Sequence, residues 1–108
     1  MVEFSELDST YHAIADPTRR DVLQRLATGP ARITDLAHSR DISFAATSKH
    51  IRVLEDAGLV RRSVSGREHW LALEAASLMP ASRWLDGYRM YWEAGLDRLE
   101  QQLRKHLR

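Results

Sequence analysis

The stretch SFAATSKHIRVLEDAGLVRR, Ser43 to Arg62, constrains the fold more than any other part of the 108-residue chain. Ser43 suits a helix N-cap, and Thr47, Ile51, Leu54 and Gly58 then fall on one line at the helical period. That line requires a core to pack against. At about 100° per residue, Ala45, Lys49, Arg52 and Asp56 project from the opposite side, flanked by Ala46 and Ser48. Gly58 suits the left-handed position that ends a helix, after which Leu59-Val60 can pack back on the last turn. The prediction is a helix with one dry face and one small, basic face.

The other elements arrange themselves around it. Phe4, Leu7, Tyr11 and Ile14 recur at spacings of three and four, predicting an amphipathic helix over about residues 3 to 14. Asp16-Pro17 pairs a preferred cap with a preferred first helical residue, so a second helix carries Val22, Leu23 and Leu26 inward and stops at Gly29-Pro30. A short third helix is expected from Thr34 as cap to about Ser39, followed by the turn Ser39-Arg40-Asp41. LVRRSVSGREHWLAL reads as a two-stranded hairpin around Ser65-Gly66, with Arg61, Arg62 and Arg67 near its tip.

From Ser82 to about Lys105 the helical period returns. Leu85, Tyr88, Trp92, Leu96, Leu99 and Leu103 form one line, and Trp84 and Tyr91 add a second. Such a helix is roughly 35 Å long at ~1.5 Å per residue, and it carries more apolar surface than so small a domain covers. A partner helix would cover it; the alternative is a helix that wraps its own domain. Gly87 and Gly95 interrupt the helix at a cost of ~1 kcal/mol each relative to Ala.

Length and composition allow one domain with a single modest core. No run of about 18 apolar residues is present and the start MVEFSELDSTYH has no signal-peptide pattern, so a cytoplasmic protein with no membrane association is expected. The absence of cysteine removes disulfides, thiolate metal sites and thiol redox switching. Although the net charge is only +1, it is unevenly spread. Residues 1 to 16 hold four acids and no Lys or Arg, whereas Ser43 to Arg67 holds five basic residues against Glu55 and Asp56. A local cationic surplus of that kind is what a phosphate-facing surface needs.

Helix, helix, short helix, turn, basic helix and hairpin is the order of a winged helix-turn-helix, mainly α with a small β-hairpin wing. A helix entering the major groove of DNA needs small residues at its start, so that its backbone sinks in, and long cations further along. Ser43, Ala45, Ala46 and Ser48 are small; Lys49 and Arg52 are the cations. Phe44 can meet a thymine methyl. Arg67, after flexible Gly66, can reach the adjacent minor groove or its phosphates.

Three segments carry a resemblance to a known family: ADPTRRDVLQRL at 15 to 26, SFAATSKHIRVLEDAGLV at 43 to 60, and the Gly66-Arg67 wing tip. Together they resemble the ArsR/SmtB-type bacterial repressors, which are winged-helix homodimers. WLDGYRMYWEAGLDRLEQQL resembles the C-terminal dimerisation helix of members that sense no metal. By that resemblance Ser43 to Arg52 is the recognition helix, and the first and last helices form the dimer interface. Two departures stand out. The turn Ser39-Arg40-Asp41 lacks the frequent glycine, though Asp tolerates a left-handed conformation. The metal-sensing residues are also missing: His12, His38, His50, His69 and His106 show no HxxxH pairing, and of these only His106 lies on the last helix.

The sequence thus predicts one domain over 1–108, with a dimerisation helix at 1–15, a winged-helix core at 16–76 and a second dimerisation segment at 77–108. The expected DNA-binding set is Ser43, Phe44, Ala45, Ala46, Ser48, Lys49, His50, Arg52, Arg61, Arg62 and Arg67, with His50 at the edge of the buried face. The expected dimer set is Phe4, Leu7, Tyr11, Leu85, Tyr88, Trp92, Leu96, Leu99 and Leu103. Double-stranded DNA and a second copy are the expected partners; no metal or cofactor is expected, and the effector is open. The expected function is that of a homodimeric repressor on a palindromic operator. The alternative is a winged-helix protein-interaction module, whose mark would be an apolar recognition face. No GxSxG elbow, Gly-rich phosphate loop, HExxH or paired-carboxylate motif supports an enzyme.

Overall fold

The computed structural model describes residues 5–107. Phe4 and the expected helix start near residue 3 lie outside them. Helix α1, Glu6–Ile14, is capped by the Ser5 hydroxyl, which accepts from the Asp8 amide at 3.2 Å. It turns Thr10 and Ala13 fully inward, while Leu7 and Tyr11 are only half-buried. Helix α2, Pro17–Leu26, starts as its sequence predicts: the Asp16 carboxylate accepts from the Arg19 amide at 3.0 Å, and Val22, Leu23 and Leu26 enter the core. Arginines of α2 also close the end of α1. Arg19 donates to the Ala13 and His12 carbonyls at 2.7 and 3.0 Å, and Arg20 to that of Ile14 at 2.8 Å.

Past Gly29 the chain forms a short strand that sequence periodicity does not reveal. Strand β1, Ala31–Arg32, pairs antiparallel with the far strand of the wing (β3, Glu68–Leu73), whose other neighbour is β2, Val60–Ser65, so the sheet has three strands in the order β1-β3-β2 rather than two. A two-residue strand has no periodicity of its own; it exists only because Leu71 and Trp70 lie opposite it. Helix α3, Ile33–Ser39, begins one residue before the expected cap: Arg32 takes the cap position and Thr34 sits within the first turn. The missing turn glycine is replaced as anticipated. Asp41 adopts φ 52°, and the Ile42 amide reaches back to the Ala37 carbonyl at 3.3 Å, closing α3 by a left-handed cap.

Helix α4, Phe44–Asp56, is the predicted basic helix. The Ser43 hydroxyl accepts from the Ala46 amide at 3.0 Å, and Thr47, Ile51 and Leu54 are at most 1% exposed. Thr47 satisfies its buried hydroxyl by donating to the Ser43 carbonyl at 2.9 Å. At the far end Gly58 takes φ +74°, its amide bonds the Glu55 carbonyl at 2.9 Å and the Leu59 amide that of Leu54 at 3.0 Å. This is a Schellman ending, with Leu59 and Leu54 both buried beneath it.

The wing consists of β2, Val60–Ser65, and β3, Glu68–Leu73, with Ser65 opposite Glu68. Its turn is therefore Gly66-Arg67, one residue beyond the expected Ser65-Gly66. Only Gly66 has positive φ, at +62°. Val60 and Leu71 root the hairpin in a core that also holds Val22, Leu26, Ile33, Leu36, Ile51, Leu54 and Leu59.

The C-terminal region departs from prediction. In place of one helix from Ser82, a 3₁₀ turn at Ala75–Leu78 leads into α5, Met79–Asp86, and a separate α6, Arg89–His106. The break falls at Gly87-Tyr88, where a β-carbon on Gly87 would lie 3.2 Å from the Trp84 carbonyl. Gly87 takes the C-cap position of α5 with a helical φ of −58°, its amide bonding the Arg83 carbonyl at 3.3 Å. Helix α5 docks on α1 through buried Ala81, a Tyr11 hydroxyl bond to its carbonyl at 3.2 Å and an edge-on Tyr11–Trp84 contact at 5.9 Å. Helix α6 has no buried residue and helps stretch the molecule to 69 × 38 × 20 Å.

Replacing Gly58 by Ala forces a β-carbon into the left-handed region, where it meets nothing closer than Ser77 Oγ at 3.7 Å. The cost is therefore backbone strain, and a loss of about 1–2 kcal/mol is expected. It should appear as a lower urea midpoint at unchanged slope.

Candidate nucleic-acid interface

Burial of the Thr47–Ile51–Leu54 line turns the small and basic residues of α4 to the surface. Ala45, Lys49 and Arg52 are exposed; Ala46 and Ser48 are half-buried between the two faces. Phe44, the first helical residue, is 55% exposed. The Ser43 hydroxyl is occupied by its cap.

Two open depressions flank this face. One is lined by Ser48, Lys49, Arg52, Glu55, Asp56 and Arg62. The other runs between α4 and the wing tip and brings Phe44 beside Thr34, Arg67 and His69. The start of α4 and the wing arginine therefore border one groove. Thr34, expected as a helix cap, and Arg32 belong to this groove and were missed. Both reach it through the pairing of β1 with β3, a contact between residues far apart in sequence that no local pattern displays.

The cations differ in what they already hold. Among the described residues Lys49, Arg52 and Arg67 make no ion pair. Arg61 is paired with Glu74 at 3.2 Å but remains exposed. Arg62 is half-buried and bound twice by Glu55, at 2.7 and 3.3 Å, with a further bond to His69 Nδ1 at 3.1 Å. Arg32 spans Asp35 and Glu68 and lies over the Trp70 ring at 5.8 Å; its bond to Asp35, then that to Glu68, raises its pKa.

His50 turns toward α2 rather than outward. Its Nδ1 accepts from Arg19 at 3.4 Å and lies 3.8 Å from the Asp16 carboxylate. The structure leaves Phe44, Ala45, Lys49 and Arg52 exposed on α4 and Arg67 exposed at the wing tip beside Phe44, and places His50 and Arg62 in intramolecular contacts.

The expected dimer residues also divide. Trp92, Leu96, Leu99 and Leu103 share one exposed side of α6, with Trp92 at 66% and Leu96 at 65% exposure. Of the other residues expected on the same line, Leu85 lies on α5 and Tyr88 at the break itself, where its ring meets that of Trp84 at 4.9 Å, tilted by 54°. Tyr11 is partly covered by α5 of its own chain, and Leu7 is half-buried beside it on α1.

Residues 16–62, from the cap of α2 into β2, match the model of the bacterial regulatory protein arsR family. An HTH-type transcriptional regulator of Mycobacterium tuberculosis, Rv2034, is 33% identical over 88 residues, 82% of each chain. The chain belongs to the ArsR family. A crystal structure of another ArsR family transcriptional regulator superposes with a TM-score of 0.76 at 38% identity, covering 82% of this chain and 98% of that one. The transcriptional repressor SdpR of Bacillus subtilis is 28% identical over 79 residues, 73% of this chain and 88% of its own.

As an ArsR-family member the protein is a winged helix-turn-helix transcriptional regulator. Among the described residues no helix is long and apolar enough to cross a membrane, and no group of three or more His, Asp or Glu converges.

The family match begins at Asp16, whose carboxyl is held below its ordinary pKa of 3.8 mainly by the Arg19 amide; burial, the next largest effect, opposes this, and His50 charge, Arg19 charge and the Thr18 amide add to the lowering. A lowered native pKa means that this charge-dependent stabilisation is present above 3.8 and is lost as pH falls through the native value. Thermal melts of wild type and Asp16→Ala should therefore differ at neutral pH, with the variant lower, and converge on acidification.

Proposed function

We propose that this ArsR-family regulator is a homodimeric repressor acting in the cytoplasm, which binds two half-sites of a palindromic operator and has no catalytic role. The observation that carries the reading is an exposed α4 face on which, among the described residues, Lys49 and Arg52 hold no carboxylate, together with an equally unpaired Arg67 at the wing tip, which borders a groove with Phe44 at the start of that helix. An apolar recognition face, the mark of a protein-interaction module, is limited to Phe44.

In this reading residues 16–76 form the DNA-binding core. Ser48 and Lys49 address base edges, and Phe44, Ala45 and Ala46 provide shape and methyl contact. Arg52, Arg61 and Arg67 hold phosphates or the minor groove. Residues 1–15 and 77–108 form the dimer, with α6 contributing the Trp92, Leu96, Leu99 and Leu103 side. An apolar helix face left wholly uncovered by its own chain supports this assignment. Two-fold pairing would set the recognition helices about 34–36 Å apart, one turn of B-DNA. Repression as the sign of regulation is supported by the likeness to SdpR.

Arg67→Ala is expected to weaken binding to every duplex and to lower the slope of log affinity against log salt by about one. Lys49→Ala should instead relax discrimination at one or two base pairs, and a binding-site selection returning the wild-type motif would remove Lys49 from the base readers. Trp92→Asp or Leu96→Asp should give monomers by light scattering, with operator binding weakened by at least about tenfold because one half-site supplies only part of the contacts. A wild-type monomer would overturn the dimer assignment.

A further inference from the structure

We infer that Arg62 is a positioning residue: by clasping Glu55 it fixes the angle of the wing to α4, and hence where Arg67 arrives, without itself holding DNA. The inference rests on the DNA-binding reading above.

The wing is a lever with a short root. Val60 and Leu71 are its buried side chains, whereas Ser63, Val64, Ser65, Gly66, Arg67 and Glu68 are exposed. Pairing with β1 and the Arg32–Glu68 contact tie β3 to the body, whereas the outer strand β2 pairs with β3 alone, so side chains must join it to α4. Arg62 stands where the hairpin leaves the core and reaches to the last turns of α4. Its Nη2 donates to Glu55 Oε1 at 2.7 Å and its Nε to Oε2 at 3.3 Å, a two-point contact that fixes orientation as well as distance.

The third nitrogen, Nη1, donates to His69 Nδ1 at 3.1 Å, which ties β3 to the same joint. Every guanidinium nitrogen thus has an acceptor within the protein. The side chains of Arg62 and Glu55 are 28% and 29% exposed, so water screens this pair less than the neighbouring Arg61–Glu74 pair, where Arg61 is 72% exposed. A phosphate approaching Arg62 would have to displace a carboxylate already seated on it. Pairing has a second effect. Glu55 borders the depression that holds Lys49 and Arg52, and Arg62 offsets the negative charge it would otherwise turn toward phosphate.

The test is a double-mutant cycle between Arg62→Gln and Arg67→Ala, read as salt slope and affinity on one operator duplex, with amide hydrogen exchange on the DNA-free proteins. If Arg62 positions the wing, each single variant lowers the slope by about one, and adding Arg67→Ala to Arg62→Gln changes it little further. Arg62→Lys, which keeps the charge and loses the fork, should behave like Arg62→Gln. Without DNA, wing amides from 61 to 72 should exchange faster in Arg62→Gln while those of Ile51 and Leu54 stay protected, which shows that the body remains folded. Slopes that add to about two in the double variant, a wild-type-like Arg62→Lys, or unchanged wing exchange would each overturn the inference. Failure of the wild-type protein to bind duplex DNA would instead overturn the DNA-binding reading, and hydrogen exchange would still report on the clamp.

Discussion

Ile51 and Leu54 lie in one cluster with Leu36, Leu59 and Leu71, essentially without exposure, and Thr47 is buried on the same line with its hydroxyl satisfied inside the helix. Complete burial of three residues on one line leaves a helix no freedom to roll, because a rotation of one position would drive Lys49 or Arg52 into an apolar interior. The basic face is thus held outward by the core behind it. Both ends are fixed as well, by the Ser43 cap and by the Gly58 ending. A rigid helix of this kind suits a part that must match a groove.

Local chemistry made much of this legible in the sequence. Asp16-Pro17, Ser43 and Gly58 each act within a few residues of themselves, and each does in the structure what its residue type predicts. Asp41 likewise takes the left-handed turn that its sequence position requires. What escaped notice depends on residues far apart in the chain. Strand β1 exists through β3, Thr34 and Arg32 join the groove through that pairing, and Arg62 meets an acid seven positions away across a reversal of chain direction. The break at Gly87 is half legible: a glycine marks a weak point in the helical run, but where α5 stops and α6 begins is a property of the folded backbone.

Counting arginines along the basic segment treats them as equivalent, and their surroundings separate them. A cation with a carboxylate on it contributes to the shape of the protein; a cation without one is available to a polyanion. Lys49, Arg52 and Arg67 fall in the second group, Arg62 and Arg32 in the first, and exposed Arg61 stands between. The local excess of positive charge that draws attention in the sequence is therefore divided between building the surface and facing outward from it.

Helix α6 makes its within-chain contacts through α5, and its own ladder of bonds is supplemented by surface pairs such as Arg89–Glu93 and Glu100–Arg104. Eighteen residues with so little tertiary support stay helical largely to the extent that something packs on them. In the proposed homodimer, association and the ordering of α6 become one equilibrium. At low expression, paired molecules, and with them operator occupancy, would then rise with the square of the amount of chain in the cell, so a modest change in synthesis or turnover would act as a sharp dosage control on its target genes.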